Sequence, residues 1–274
     1  MHSKTRLNKQ ITLKTRWYYD TYYNVLNSYD DEQYDAQTYG YAFTSIYDDK
    51  TYGGKADLSI RTFENHHLKT GVSTQVDHHQ QYNKGETPRD FKDLTTSVAI
   101  EDTWSINRWQ IMGGIGFLSR QGMAAEEYFS NADSIAGFPL SHDETLHYQT
   151  GIFYNWAKKH RLSARISRKS RFATLKDRYS YRTGRAIPNP DLNSETAWNT
   201  VAGYQGTSAG LQWSTEVYYN LISNTIQRVD NVQDELWQLQ NTGKSHFRGI
   251  DVALQWNYKN FTASLILLLS KINL

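Results

Sequence analysis

Cysteine is absent from this 274-residue chain. That excludes a disulfide scaffold and any thiolate metal site, and is compatible with a cell-envelope β protein. No apolar run approaches the ~18 residues that a membrane helix needs; the most apolar segment, Ala263–Leu269, is far shorter. The basic start, Met1 to Gln10, has no apolar stretch behind it and so is not a secretory signal. Proline is scarce, four residues in all, and Pro188 and Pro190 fall close together with Gly184 in one polar segment. A charge excess is lacking too: the formal net charge is +2, which gives no global reason to expect a nucleic-acid partner. Catalytic signatures are missing as well. There is no Gly-x-Ser-x-Gly, phosphate-binding loop, His-Glu-x-x-His or Gly-x-Gly-x-x-Gly, so no enzyme, catalytic residue or cofactor is expected.

What is plentiful is aromatic: 20 Tyr and 8 Trp in a chain only 38% hydrophobic. Such a balance is odd for a soluble globule. It suits a sheet in which only alternate residues meet an apolar medium. The alternation is visible along the whole chain. Leu162, Ala164 and Ile166 oppose Arg161, Ser163, Arg165 and Ser167; Ile250, Val252, Leu254, Trp256 and Tyr258 oppose Asp251, Gln255 and Asn257. Because successive strand side chains face opposite sides of a sheet, this persistent period of two predicts an all-β fold.

About eleven strands can be counted. Short turns are expected near Asn65, Asn107-Arg108, Lys159-His160, Gly206-Thr207 and Tyr258-Lys259. Long polar loops are expected over about 27–55, 78–92, 122–144, 172–195 and 223–244. Short and long connections in alternation predict an antiparallel up-and-down transmembrane β-barrel with its long loops at one end. Trp109, Trp156, Trp213 and Trp256 stand on the apolar side close to short turns, where an interfacial belt belongs.

The densest positive charge lies at Arg161, Arg165, Arg168, Lys169, Arg171, Lys176, Arg178, Arg182 and Arg185, with Asp177 the only acid nearby in sequence. Arginines lining a confined aqueous funnel would attract anionic ligands. They could equally be a solvated lumen or meet lipopolysaccharide phosphates. The pairs His66-His67 and His78-His79 cannot chelate as flat pairs, since strand neighbours point apart, and no metal site is expected.

The run Ser167-Arg-Lys-Ser-Arg-Phe172-Ala-Thr174-Leu175, followed by Asn189-Pro190-Asp191-Leu192-Asn-Ser-Glu195, resembles the paired signature of TonB-dependent outer-membrane receptors. Phe172-Ala173-Thr174 stands where that family has Ala-Pro-Thr, and Ser194 where it has Pro. Two further segments are similar to the family. One is Phe91–Leu94 with Glu101-Asp-Thr-Trp104 and the Gly-rich strand Trp109–Gly116; the other is Asn241 to Asp251 with Gly243 and Gly249, Asp251 replacing Glu. The resemblance covers about residues 10 to 260.

The resemblance implies active uptake of a scarce nutrient, of the ferric siderophore, haem or cobalamin class, across the outer membrane of a Gram-negative bacterium. It implies outer-membrane lipid and lipopolysaccharide, a small-molecule or metal-chelate ligand, and the TonB energy-transducing complex as partners, the last acting through a plug domain. Relatives carry about 22 strands around such a plug. Residues 1–274 are therefore expected to be a single partial barrel domain, a fragment without plug or closing strands, with 261–274 a truncated or frame-changed terminus. A passive porin or adhesin barrel and a soluble β-rich carbohydrate-binding module are the competing expectations.

Overall fold

The computed structural model describes every residue except 40, 41, 62, 63, 130, 131, 133, 182, 183 and 274. The strands follow in order: β1 (His2–Arg6), β2 (Ile11–Ser28), β3 (Phe43–Ile60), β4 (His66–Asn83), β5 (Arg89–Ile106), β6 (Trp109–Phe129), β7 (Ser134–Gly137), β8 (His142–Ala157) and β9 (His160–Arg171). After the short helix α1 (Leu175–Tyr179) come β10 (Ala186–Ile187), β11 (Glu195–Ser208), β12 (Leu211–Ser223), β13 (Ile226–Gln233), β14 (Leu236–Asn241), β15 (Lys244–Tyr258) and β16 (Phe261–Asn273).

One 13-stranded sheet runs β1-β2-β3-β4-β5-β6-β8-β9-β11-β12-β15-β16, with β7 beside β6. Each neighbouring pair along this path is antiparallel. The fold is thus all-β and up-and-down, with its two edge strands not paired to each other. A separate small sheet, β10-β14-β13, sits among the long connections.

Register gathers the alternating residues onto two faces. Val72, Val98, Phe117 and Leu146 form one cross-strand row, and Ala202, Val217, Ile250 and Leu269 another. Such rows remain open: Val217 is 52% exposed and Ile115 50%. The opposite face carries polar ladders. Lys69 Nζ reaches Glu101 at 3.2 Å, and Gln149 donates to the other oxygen of Glu101 at 2.5 Å. A sheet with one uncovered apolar face and one polar, hydrogen-bonded face has no second layer over its greasy side. The buried hydrophobics among the described residues, Phe91, Ala125, Ala173, Tyr179, Ala186 and Leu192, are few. They belong to strands β5 and β6 and to the 172–194 segment, on or near the polar side.

Several expectations need correction. The strands are longer than the pattern suggested: β3 begins at Phe43, and the connection between β4 and β5 is only residues 84–88. Beyond the apolar rows both faces are polar, so these strand ends read as loop. The turn expected at Gly206-Thr207 lies at Ala209-Gly210, where φ is +46° and +83°, the left-handed pair that a two-residue hairpin turn demands. Strand β1 was not foreseen, because His2–Arg6 has no apolar alternation. Residues 261–273 form a strand in unbroken register with β15; Ile266 and Leu268 there fall on the polar face, opposite Ala253 and Asp251.

Aromatic rings close over glycines at thin points of the sheet. Tyr218 lies over its cross-strand partner Gly249, where an added Cβ would stand 2.5 Å from the tyrosine oxygen and collide with Leu269 O. Gly249→Ala is expected to cost about 1–3 kcal/mol through overpacking, read from the urea midpoint in detergent micelles. Gly113→Ala, with nothing within 4 Å, should shift it far less; equal shifts would contradict this packing.

Candidate functional site

The arginine-rich segment runs from β9 through the 172–194 connection into β11. Its first half is strand because the alternation around Leu162, Ala164 and Ile166 pairs with β8 and β11. On the polar face Arg161 donates to Gln110 Oε1 at 2.7 Å and lies 4.3 Å over the Phe153 ring. Arg165 pairs with Glu216 of β12. Arg168 does not share that face. Its register partners are Tyr148 and Trp198, so it stands with Leu162 and Ile166 on the apolar side, its guanidinium bonded to Leu146 O and, at 3.2 Å, to Thr145 Oγ1.

Arg171 bridges two carboxylates, Glu195 at 2.8 Å and Asp177 at 3.5 Å. Arg178 is fully buried and ion-paired with Asp93 of β5, with Arg120 of β6 at 3.7 Å from the same carboxylate. Ser141 Oγ accepts from both guanidinium groups. Arg185 is exposed and, among the described residues, has no ion-pair partner; Arg182 lies outside the described residues. Asp177 is therefore not the only acid at hand. Glu216, Glu195 and Asp93 neutralise three cations of the expected funnel, Arg165, Arg171 and Arg178, from positions distant in sequence.

The motif residues fasten this segment down. Thr174 caps α1 in a reciprocal box with Asp177. Leu175 packs on Phe91, Ala125 and Tyr179, and Arg120 stands 5.8 Å over the Phe172 ring. Asn189 donates to Leu239 O at 2.8 Å and receives Asp191 N; Pro190 completes that turn, and Leu192 is buried. Glu195 also accepts Ile226 N at 2.7 Å. Asn241 exchanges bonds with the Asn193 backbone at 2.8 and 3.0 Å. Gly243 takes φ +57°, open to glycine at least cost. Asp251 sits on the polar face beside Glu216. Tyr181 donates to Glu127, and burial first, then that carboxylate, hold its phenol well above the usual range. These contacts hold the 172–194 segment as a cap on the polar face.

The histidines are each occupied: His66 by Asp102, His67 by Ser59, His78 by Asp90 and His79 by Asp49. Among the described residues no group of three or more His, Asp or Glu could hold a metal ion. Sequence reasoning missed Asp93, Arg120 and Ser141. Asp93 and Arg178 stand 85 residues apart, and no local pattern joins them.

Truncating one partner of a buried ion pair typically costs about 3–5 kcal/mol. Arg178→Ala should therefore speed amide exchange across 172–194 by about a hundredfold or more. The exposed Lys176→Ala on the same helix should not. Equal exchange in the two variants would contradict the fastening role.

The fold and its fastened segment can be set against known proteins. A family model described as "TonB dependent receptor-like, beta-barrel" matches residues 2–271. No curated protein matches the chain. Among solved structures, the FrpB iron transporter of Neisseria meningitidis (F3-3 variant) superposes with a TM-score of 0.72 at 16% identity, over 95% of this chain and 40% of that one. The copper transporter OprC gives 0.76 at 14%, over 97% and 45%. The siderophore receptor PirA of Pseudomonas aeruginosa gives 0.63 at 14%, over 99% and 53%. At these identities the likeness is one of fold, and the chain spans about half or less of each of these structures. With its family match running nearly end to end over an up-and-down sheet, the chain belongs to the TonB-dependent receptor β-barrel family.

Proposed function

We propose that this chain is a wall segment of an outer-membrane receptor that takes up a scarce nutrient, with the apolar face against lipid and the polar face toward a watery lumen. The uncovered apolar face, matched to the family over 2–271, is the observation that carries the reading. Exposed rows of Val, Ile, Leu and aromatic residues at alternate positions would aggregate in water and are stable in hydrocarbon, where a closed sheet satisfies every backbone group. The two aromatic levels support it. Trp109, Trp156 and Trp256 stand next to the short turns, and Tyr148 and Trp198 stand about nine residues further along their strands, the length of a transmembrane strand.

Binding and transport, not catalysis, fit this surface. Iron, siderophore and copper appear in the names of structural neighbours, and we assign the ligand to the class of metal chelates, with haem and cobalamin in the same range. In this reading the partners are outer-membrane lipid and lipopolysaccharide, the ligand, and the TonB complex acting through a plug carried by the whole receptor, of which residues 1–274 supply barrel wall. The 172–194 segment forms part of the ligand-side mouth, and Lys176 and Arg185 are exposed cations on it. Arg161, Arg165 and Arg171 line the lumen in partly neutralised form.

Lipid contact predicts a depth-dependent penalty. Val217→Arg on the apolar face should cost about 2–4 kcal/mol in bilayers, while Ser214→Arg on the polar face should cost much less; equal costs would contradict the assignment of faces. Uptake has its own check. Arg185→Glu in the whole receptor should lower the association rate of an anionic ferric chelate several-fold at low salt, the difference vanishing in high salt. An unchanged rate removes Arg185 from ligand attraction.

A further inference from the structure

The six connections at one end of the sheet are residues 7–10, 61–65, 107–108, 158–159, 209–210 and 259–260. They hold Lys9, Arg61, Arg108, Lys158, Lys159 and Lys259, and a single acid, Glu64. All six cations are exposed, and none forms an ion pair among the described residues. Elsewhere nine cations form ion pairs among the described residues, all on strands or in the 172–194 segment. The opposite end has a different balance: residues 29–42 alone carry Asp30, Asp31, Glu32 and Asp35 and no cation.

These unpaired cations adjoin aromatic rings on the apolar face. Lys259 Nζ lies 5.4 Å from the Tyr258 ring, with Trp256 stacked on Tyr258 and edge-on to Phe261 across the turn. Arg108 Nη1 donates to Trp156 O at 3.0 Å, which anchors the guanidinium beside Trp156 and Trp109, themselves 52% and 45% exposed. Lys158 and Lys159 follow Trp156 after the single residue Ala157. An apolar face, then rings, then cations is the vertical order of acyl chain, interface and phosphate in one leaflet. A soluble protein partner would not account for cations spread over five turns and bounded by rings on the apolar side.

We infer that this end is a binding surface for anionic phospholipid headgroups, its cations engaging phosphodiester oxygens of the leaflet that the short turns face. Each Lys or Arg near a charged lipid surface contributes on the order of 1 kcal/mol. The interaction is shared among many exchanging lipids and weakens with salt. The first connection of the opposite end, acidic and without a cation, would repel the same lipids. This inference rests on the reading that the apolar face meets lipid.

The test reconstitutes the full chain in phosphatidylcholine bilayers containing spin-labelled phosphatidylglycerol or spin-labelled phosphatidylcholine. Electron paramagnetic resonance then measures the motionally restricted fraction of each. Both labels should show that fraction, with phosphatidylglycerol favoured about two- to threefold at low salt. The preference should fall to parity in 1 M NaCl, and in a variant combining Arg108→Gln, Lys158→Gln, Lys159→Gln and Lys259→Gln. The phosphatidylcholine fraction should be the same in both proteins, which shows that the variant is still embedded. Equal association of the two lipids with the native chain, or a preference unmoved by the substitutions, overturns the headgroup surface. No restricted fraction for either lipid overturns lipid embedding instead.

Discussion

The structure depends on the antiparallel backbone ladder. Along the main path each strand is hydrogen-bonded to its neighbours, so the main chain between the two edges of the sheet is satisfied without water. Side chains alone then distinguish the two faces, because they alternate strictly. A slip of one residue would carry Val217 and Ile250 to the polar side and Glu216 and Asp251 to the apolar side. The short turns and the ion pairs of the polar face, such as Arg165–Glu216 and Lys69–Glu101, hold the register that keeps the faces apart.

The same ladder determines where a core can exist. With one face apolar and uncovered, burial is confined to the place where a long connection folds back over the polar face. Phe91, Ala125, Tyr179 and the Arg178–Asp93 pair gather there. A buried arginine beside an arginine-aspartate pair is an expensive arrangement unless its geometry is well satisfied. The capping box at Thr174, the Asn189 turn and the parallel β10–β14 contact supply the surrounding order. The resemblance residues thus act mainly as fasteners of the 172–194 connection.

Period-two patterning is local, and so the apolar rows and five of the six short turns could be found in the sequence, one of them three residues early. Where both faces turn polar, as over Phe43–Lys55 and His78–Asn83, the pattern fades and strand was mistaken for loop. The arginine cluster was legible as charge but not as chemistry. Arg168 belongs to the apolar face by simple alternation with Leu162 and Ile166, whereas the partners of Arg165 and Arg178 come from β12 and β5 and leave no trace near them. The cations of the short turns were in plain view; their common place at one end required the topology.

The most direct measurement is a nitroxide scan along β15 in bilayers, from Ile250 to Gln255, comparing collision with oxygen and with a water-soluble nickel complex. Oxygen accessibility should peak at 250, 252 and 254, and nickel accessibility at 251, 253 and 255, in opposite phase with a period of two. Uniform protection of both sets, or two profiles in phase, would show that the apolar face is buried against protein and would contradict the account.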